Sequence, residues 1–487
     1  DDRYILGEAP ELSGYFVAAG FNSVGFQSGG GAGRALADWI VDGHPPMDLS
    51  EVDIRRFMPW QGNRRYLHDR TTEVLGLLYD MHWPFRQVET ARGVRRSPLH
   101  DRVAAVGACF GEVAGWERPN WYAPPGVEPR YEYSYGRQNW FPYSAEEHRA
   151  VREGVGLLDQ TSFGKYLVQG RDAESILQQL CANDVASAVG RVVYTQWLNE
   201  RGGIEADVTV TRVSDTEFLV LTAGATQARD LATLRRAIGP RARAAVTDVT
   251  SAWATINVQG PRSRELLGLV SSADLSNEAF PFGTSREIDI GYARVRATRI
   301  TYLGELGWEL LIPSEFALHV YDVLVEAGAA IDLRHVGYHA LNSLRIEKAY
   351  RHWGHDITDE DTPLEAGLGF AVAWGKPGGF TGREALLRQR DAGVTRRLVA
   401  FVLDDPDPLL YHNEPIWRDG RLVGKITSGM FGHTIGRSIG LGWVAGGDQS
   451  REALLGSRYE LEVATVRFAA APHLRPPYDP AGLRIRT

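Results

Sequence analysis

Apolar positions in this chain come in short runs whose spacing changes from place to place. Phe16-Val-Ala-Ala is a brief strand-like run ending at Gly20, and Arg34-Ala-Leu-Ala-Asp-Trp-Ile-Val41 has helical spacing. Between them lies Ser28-Gly-Gly-Gly-Ala-Gly33, which reads as a tight turn, and Asp42-Gly43 closes the helix with glycine just past its end. Segments 72–79 and 101–108 have the spacing of helices. Ser144-Ala-Glu-Glu147 reads as a capping box opening a helix, and Asp172 reads as the cap of another, with Ile176, Leu177, Leu180 and Cys181 on one face. Val208-Thr-Val-Thr-Arg-Val213 alternates as a strand does, and Phe218-Leu-Val-Leu221 reads as its partner. Helices are predicted over 225–238 and 314–327. Beyond Arg396 the pattern turns to strands: Arg397–Leu403, Ser438–Val444 and Tyr459–Val463, with Asp419-Gly420 marking a type I′ hairpin.

Strands and helices mixed without regular βαβ spacing predict an α+β fold. Four pieces are expected. Residues 1–43 form one strand and helix, too little for a nucleotide-binding domain of its own. Residues 44–125 form an irregular, aromatic connector without evident chemistry, bounded by Pro45-Pro46 and the stretch from Trp116 to Pro125. Residues 126–390 form the main α+β body, and 391–487 a small β-barrel or sandwich.

The chain has 487 residues and is 44% hydrophobic, enough for several cores. Its net charge of −8, with scattered basic residues, argues against nucleic-acid and anionic-membrane partners. No apolar run reaches the roughly 18 residues of a membrane span. Two cysteines, Cys109 and Cys181, cannot build a disulfide framework, so a reducing compartment, the cytoplasm, is expected. Lysine occurs only at 165, 348, 376 and 425, with arginine in its place, which we read as coding bias.

Three groups of residues could carry chemistry. In Tyr194-Thr-Gln-Trp-Leu-Asn-Glu-Arg-Gly-Gly-Ile-Glu-Ala-Asp207 a double glycine precedes a strand that presents Glu205 and Asp207 on one side. Either could accept a proton or hold a cationic amine; a solvated strand end is the plainer reading. In Tyr302-Leu-Gly-Glu-Leu-Gly-Trp-Glu309, Glu305 lies between glycines, where a carboxylate can accept two N–H donors, or form an ordinary hairpin tip. In Leu341-Asn-Ser-Leu-Arg-Ile-Glu-Lys348, Arg345 could grip a carboxylate ligand or an internal acid. Other signals fail. His335 and His339 lack the glutamate of a zinc-protease helix, and Asp356, Asp359, Glu360, Asp361 and Glu365 lack calcium-loop spacing and read as a solvated loop. No metal site is expected, Gly-x-Ser-x-Gly is absent, and no G-x-G-x-x-G nucleotide fingerprint occurs.

Taken in order, Gly202-Gly203-Ile-Glu-Ala-Asp207, Gly304-Glu305-x-Gly307, Ser343-Leu-Arg345 and Thr427-Ser-Gly429 resemble the aminomethyltransferase fold of the glycine cleavage T-protein. Leu198–Asp207, Trp116-Glu-Arg-Pro-Asn-Trp121, Arg351-His-Trp-Gly-His-Asp356 and Gly20-Phe-Asn-Ser with its glycine turn resemble more closely the dimethylglycine and sarcosine dehydrogenases. That resemblance implies a cloverleaf folate-binding domain, a C-terminal barrel, a connector and the tail of a flavin domain. It implies tetrahydrofolate as cofactor, and FAD in the intact protein, where an N-methyl amine is oxidised and its carbon captured as 5,10-methylenetetrahydrofolate. It assigns Asp207 as catalytic acid or base, Glu305 to the pterin amino edge, Tyr194 and Arg345 to the folate pocket, and Gly29, Gly30, Gly31 and Gly33 to the flavin. The T-protein carries Asn near the position of Thr222-Ala223, a departure the amine dehydrogenases share. Without the front of the flavin domain the chain is expected to bind FAD poorly, the missing flavin portion being a possible partner. Two alternatives share the fold: a stand-alone folate-dependent demethylase or aminomethyltransferase, and a non-enzymatic folate-binding assembly factor, whose Lys-Gly-Cys motif is absent.

Overall fold

Gly7, at φ +114°, explains how the first piece closes: a Cβ there would meet the Trp39 ring at 2.7 Å. Its absence lets Trp39 lie against an antiparallel hairpin of β1 (Ile5–Glu8) and β2 (Phe16–Ala19) in this computed structural model, which describes residues 3–487. Trp39 belongs to α1 (Gly25–Asp42), which ends at Gly43 in the left-handed conformation expected of it. The predicted glycine turn is a correction: Ser28–Gly33 lies inside α1. Nothing approaches within 4 Å of a Cβ at Gly29, Gly30, Gly31 or Gly33, so no turn or close contact requires glycine there. Burial of Ala32, Ala35 and Trp39 along one face carries the helix through the weak formers.

In the second piece α2 (Arg64–Leu77) is capped by Asn63, and α3 (His100–Ala105) precedes the hairpin β3 (Ala108–Val113) and β4 (Trp116–Tyr122). The stretch read as a boundary is thus a strand. Six of its seven residues are buried, because α4 (Phe141–Glu153) and the later helix 338–347 pack on it. Ser144 lies within α4, bonding Phe141 O, so the expected capping box there is not formed.

The main body is two antiparallel sheets face to face. The first takes β6 (Gly164–Gly170), β7 (Val192–Leu198), β8 (Ile204–Ser214), β9 (Glu217–Thr222) and β10 (Ala244–Asp248) in the order β10-β6-β9-β8-β7. The second combines β5 (Gly156–Asp159), β11 (Trp253–Gln259), β12 (Ser285–Ile290), β13 (Ala293–Thr298), β14 (Gly307–Pro313) and the short parallel β15 (Arg334–His335) as β12-β13-β14-β11-β5-β15. Period-two alternation sorts each strand. Val208 and Val210 face outward with α5 (Ala173–Leu180) and α6 (Gln227–Ala237). Ile256, Val258, Trp308 and Leu310 face α7 (Ser263–Val270) and α8 (Ala317–Gly328). Cys181 is buried in the first of these cores. Asp172 stands at the start of α5 but bonds Arg243 N at 2.8 Å instead of the first turn.

Between the sheets, Leu219, Leu221 and Leu311 meet in a small apolar contact with Val213 and Trp253 against it, and polar side chains, Lys165, Asp207, Thr209, Asn257 and Glu309 among them, occupy much of the remaining inward face. α9 (Tyr338–Glu347) crosses the centre, with eight of its ten residues buried. After α10 (Arg383–Ala392), strands β16 (Arg396–Leu403), β17 (Pro415–Arg418), β18 (Arg421–Gly432), β19 (Arg437–Ala445), β20 (Tyr459–Val463) and β21 (Val466–His473) close a six-stranded barrel. Asp419 and Gly420, at φ +51° and +78°, form the expected I′ turn between β17 and β18. The acidic segment from Asp356 is not a solvated loop. Asp356, Asp361 and Glu365 are buried with Arg345 on the first and Arg396 on the other two, Asp359 is buried without such a partner, and Glu360 alone of the five is exposed.

Candidate functional site

Strand register decides which side chains share the space between the sheets. Directly opposed residues of antiparallel strands lie on one face. Asp207 on β8 opposes Gln196, and Thr209 opposes Tyr194 and Leu221; Leu221 in turn opposes Lys165 on β6. On the facing sheet Asn257 opposes Glu309, which also opposes Thr298, while Thr255 and Gln259 flank Asn257 at period two. The leucine contact shows that these two faces look at each other. The result is a polar layer between the sheets, the candidate ligand chamber.

Asp207 lines it. Its carboxylate accepts from Gln196 Nε2 at 2.8 Å and from the Tyr194 hydroxyl. Asp207 and Tyr194 keep partial solvent contact although protein surrounds both, which is the condition of groups on a cavity wall. Burial pushes the Asp207 carboxyl up to about 6, against the pull of Gln196, Tyr194 and Arg351. An acid so placed changes charge close to neutrality. Arg351 is held by the carbonyls of Ala366 and Ala349, and Tyr302 donates to the Arg351 carbonyl at 2.7 Å while stacking on Tyr350. Tyr194 stacks with Phe370, whose ring is 76% exposed and marks the mouth.

The other expected residues lie elsewhere or are engaged. Glu305 is 1% exposed with both oxygens held: Oε1 by Arg152 at 3.1 Å and Tyr478 at 2.9 Å, Oε2 by Arg484 at 2.9 Å. Arg345 forms a buried pair with Asp356 at 2.8 Å and bonds the Tyr350 carbonyl, the internal-acid alternative of its sequence reading. Gly29, Gly30, Gly31 and Gly33 are on the exposed side of α1.

Glu309 was not singled out from sequence, and the chamber is built around it. Burial pushes its carboxyl up to about 7, opposed by Lys165, itself brought down to about 8 by burial and held by the carbonyls of Thr161 and Phe163. Glu309 Oε1, Asn257 Oδ1, Gln259 Oε1, Thr255 Oγ1, Gln160 Nε2 and Gln196 Oε1 are buried without hydrogen-bond partners. Such a set fits a planar ligand with donors and acceptors along its edges, which is what a pterin offers. The signal was a lone carboxylate in the otherwise apolar run Trp308-Glu-Leu-Leu-Ile312. Arg351, Tyr302 and Phe370 had no comparable mark. A surface hollow of about 400 Å³ beside α2, lined by Glu73, Tyr79, Asp80 and Arg86, touches none of these residues. Among the described residues no cluster of His, Cys, Asp and Glu is arranged for a metal, and no helix is long and apolar enough to cross a membrane.

Three family profiles match: the GCVT N-terminal domain over residues 99–376, the FAD dependent oxidoreductase central domain over 42–97, and the glycine cleavage T-protein C-terminal barrel domain over 396–479. The chain is 46% identical over 486 residues to 4-methylaminobutanoate oxidase (formaldehyde-forming) of Paenarthrobacter nicotinovorans, matching all of this chain and 58% of that one. It is 36% identical to human mitochondrial sarcosine dehydrogenase, again over the whole chain and 57% of the relative. It therefore spans a little over half the length of these relatives. The glycine cleavage aminomethyltransferase T of Bartonella henselae has the same fold, with a TM-score of 0.67 at 25% identity, covering 80% of this chain and 99% of that one. The chain belongs to the glycine cleavage T-protein family, in the branch of the sarcosine and dimethylglycine dehydrogenases, where a folate-dependent aminomethyltransferase-type domain is joined to an FAD-dependent oxidoreductase.

Proposed function

We propose that this chain performs the folate-dependent half of an oxidative N-demethylation, collecting the released carbon as 5,10-methylenetetrahydrofolate. The observation that supports this most is Asp207, a chamber-wall carboxyl near pKa 6 held by Gln196 and Tyr194. Tetrahydrofolate, when bound, supplies a nucleophilic nitrogen pair that takes up an electrophilic one-carbon unit. Asp207, ionised at neutral pH, accepts the proton that the attacking nitrogen must lose and returns it to the amine, which leaves as its bond to the carbon breaks, and the negative charge of Asp207 favours a cationic one-carbon donor. The bonds from Gln196 and Tyr194 keep that oxygen oriented and its pKa from rising further. Glu309 rather than Glu305 receives the pterin's amino edge, since its Oε1 is buried without a hydrogen-bond partner while both oxygens of Glu305 are engaged. Arg345 acts by holding Asp356, not by reaching the ligand.

The amine is proposed to be an N-methyl amino acid. Sarcosine, dimethylglycine and 4-methylaminobutanoate, named in the relatives, all combine an N-methyl group with a carboxylate. The residues proposed for the flavin, Gly29, Gly30, Gly31 and Gly33, offer one helix and an adjacent hairpin, a single edge of such a site, and no step is assigned to them. Domain limits are proposed at 1–43, 44–125, 126–390 and 391–487. Anaerobic calorimetric titration of the chain with tetrahydrofolate tests the reading. One saturable site is expected, and its absence sinks it.

A further inference from the structure

The loop from Thr298 to Gly307 joins β13 to β14 and carries Tyr302 to the side of Arg351 and Asp207. Gly304, at φ +83°, gives it no stiffness of its own. Two struts reach this loop from one distant segment, Tyr478 to Arg484, which lies beyond the last barrel strand.

The first strut ends on Glu305. Tyr478 donates to Oε1 at 2.9 Å and Arg484 Nε to Oε2 at 2.9 Å, while Arg484 Nη2 also bonds the Arg152 carbonyl. The Arg152 guanidinium lies 4.1 Å over the Tyr478 ring. The second strut runs through Lys348, whose ammonium is held by the Asp479 carboxylate at 3.0 Å and carbonyl at 2.7 Å. The stem of Lys348 lies so close to Gly304 that a Cβ there would come within 2.3 Å of it. The segment is itself fixed, with Tyr478 N bonded to the Glu347 carbonyl and Asp479 accepting from the N–H of Leu483 and Arg484.

An exposed arginine on an exposed acid would matter little. Here the acid is 1% exposed, so removing a partner leaves a buried carboxylate short of compensation and frees the loop.

We propose that Tyr478–Arg484 is a clasp that sets Tyr302 beside Asp207, which makes Arg484 and Tyr478 positioning residues for the folate pocket. This rests on the folate reading above.

The test is tetrahydrofolate titration of the full chain and of Arg484→Met, Arg484→Lys and Tyr478→Phe, each alone and combined with Tyr302→Phe. Circular dichroism checks that each variant is folded. Arg484→Met and Tyr478→Phe are expected to weaken binding about tenfold, Arg484→Lys to recover most of it, and the effects to be non-additive with Tyr302→Phe. Wild-type affinity in both single variants, or strictly additive double variants, overturns the clasp alone. No saturable binding by the unaltered chain overturns the folate reading and the clasp with it. Should Arg484→Met fail to fold, Tyr478→Phe, which removes one hydroxyl, still decides the question.

Discussion

At the scale of single residues, the site turns on three carboxyl groups whose surroundings differ. Asp207 is recessed and titrates near 6, so the rate of one-carbon transfer should rise with pH through that value as the base ionises. Tyr194 stabilises the ionised form, so Tyr194→Phe should move this limb to higher pH; an unmoved limb in a pH–rate series would exclude the contact. Asp207→Asn should retain tetrahydrofolate binding and slow transfer by about a hundredfold or more, the usual worth of a positioned base. Glu309 and Glu305 should separate cleanly. Glu309→Gln is expected to weaken tetrahydrofolate about tenfold with little change in melting temperature, since it has only Lys165 as charged company. Glu305→Gln is expected to lower the melting temperature by several degrees, because it leaves Arg484 without its buried counter-charge and Arg152 with Glu347 alone. Asp207 stood out in sequence as one of two candidate carboxylates because a double glycine and strand alternation frame it, whereas Tyr194 entered only through the family resemblance. Glu309 has no such frame, and the glycine-flanked acid four residues earlier is the more conspicuous of the two. Only the partners of Glu305, from residues 152, 478 and 484, show that it is already bound.

At the scale of elements, alternation was the strongest guide and glycine the weakest. The strand Val208–Val213 was legible because Val208 and Val210 alternate with polar residues and are covered by helices, and its partner Phe218–Leu221 because it is a short run apolar on both faces. The glycine run at Ser28–Gly33 misled because glycine density usually marks a turn, whereas the Trp39 contact with Gly7 carries the helix through it. The acidic segment misled for a related reason: its charges read as solvent-seeking until Arg345 and Arg396 are seen beside them. One acid there has no such partner. Burial first, then the charges of Glu205 and Asp48, push Asp359 up to about 7 from an ordinary 3.8. Between about pH 4 and 7 the folded chain therefore keeps a proton that the unfolded chain has released, and stability falls as pH rises through that window. Asp359→Asn should remove this slope. Thermal melts should then match the parent at the acidic end and exceed it by a few degrees above the upper end; parallel melting curves at all pH values would contradict the assignment.

At the scale of the whole molecule, three bodies share one centre. The two sheets flank the chamber, and α9 links them to the barrel through Ser343, whose hydroxyl donates to the Phe431 carbonyl on β18, and through buried Glu347, which accepts from Thr434 N–H between β18 and β19. The fold class and the barrel were readable because both arise from local patterning. The facing of the two sheets was not, since it depends on Leu219 and Leu221 meeting Leu311 from a distant part of the chain. Native-state hydrogen exchange should reflect this layering. Amides of β8, β9 and β11 are expected to exchange slowest, and those of α1 and α2, with three buried residues in eighteen and two in fourteen, to exchange fastest among the longer helices.

The bonds between Glu305 and the Tyr478–Arg484 segment also fix a sequence in time. Their partners are 173 and 179 positions apart, so a growing chain exposes Glu305 long before Tyr478 and Arg484 have been made. At ribosomal speeds of about 5–20 residues per second, that interval lasts roughly 9–36 s. Throughout it, Arg152 is the one member of the trio available to that acid. The two-sheet body must therefore wait for the barrel and the segment beyond it before its ligand-binding loop is secured, so translation that stops short of residue 478 leaves a body that is built but not set.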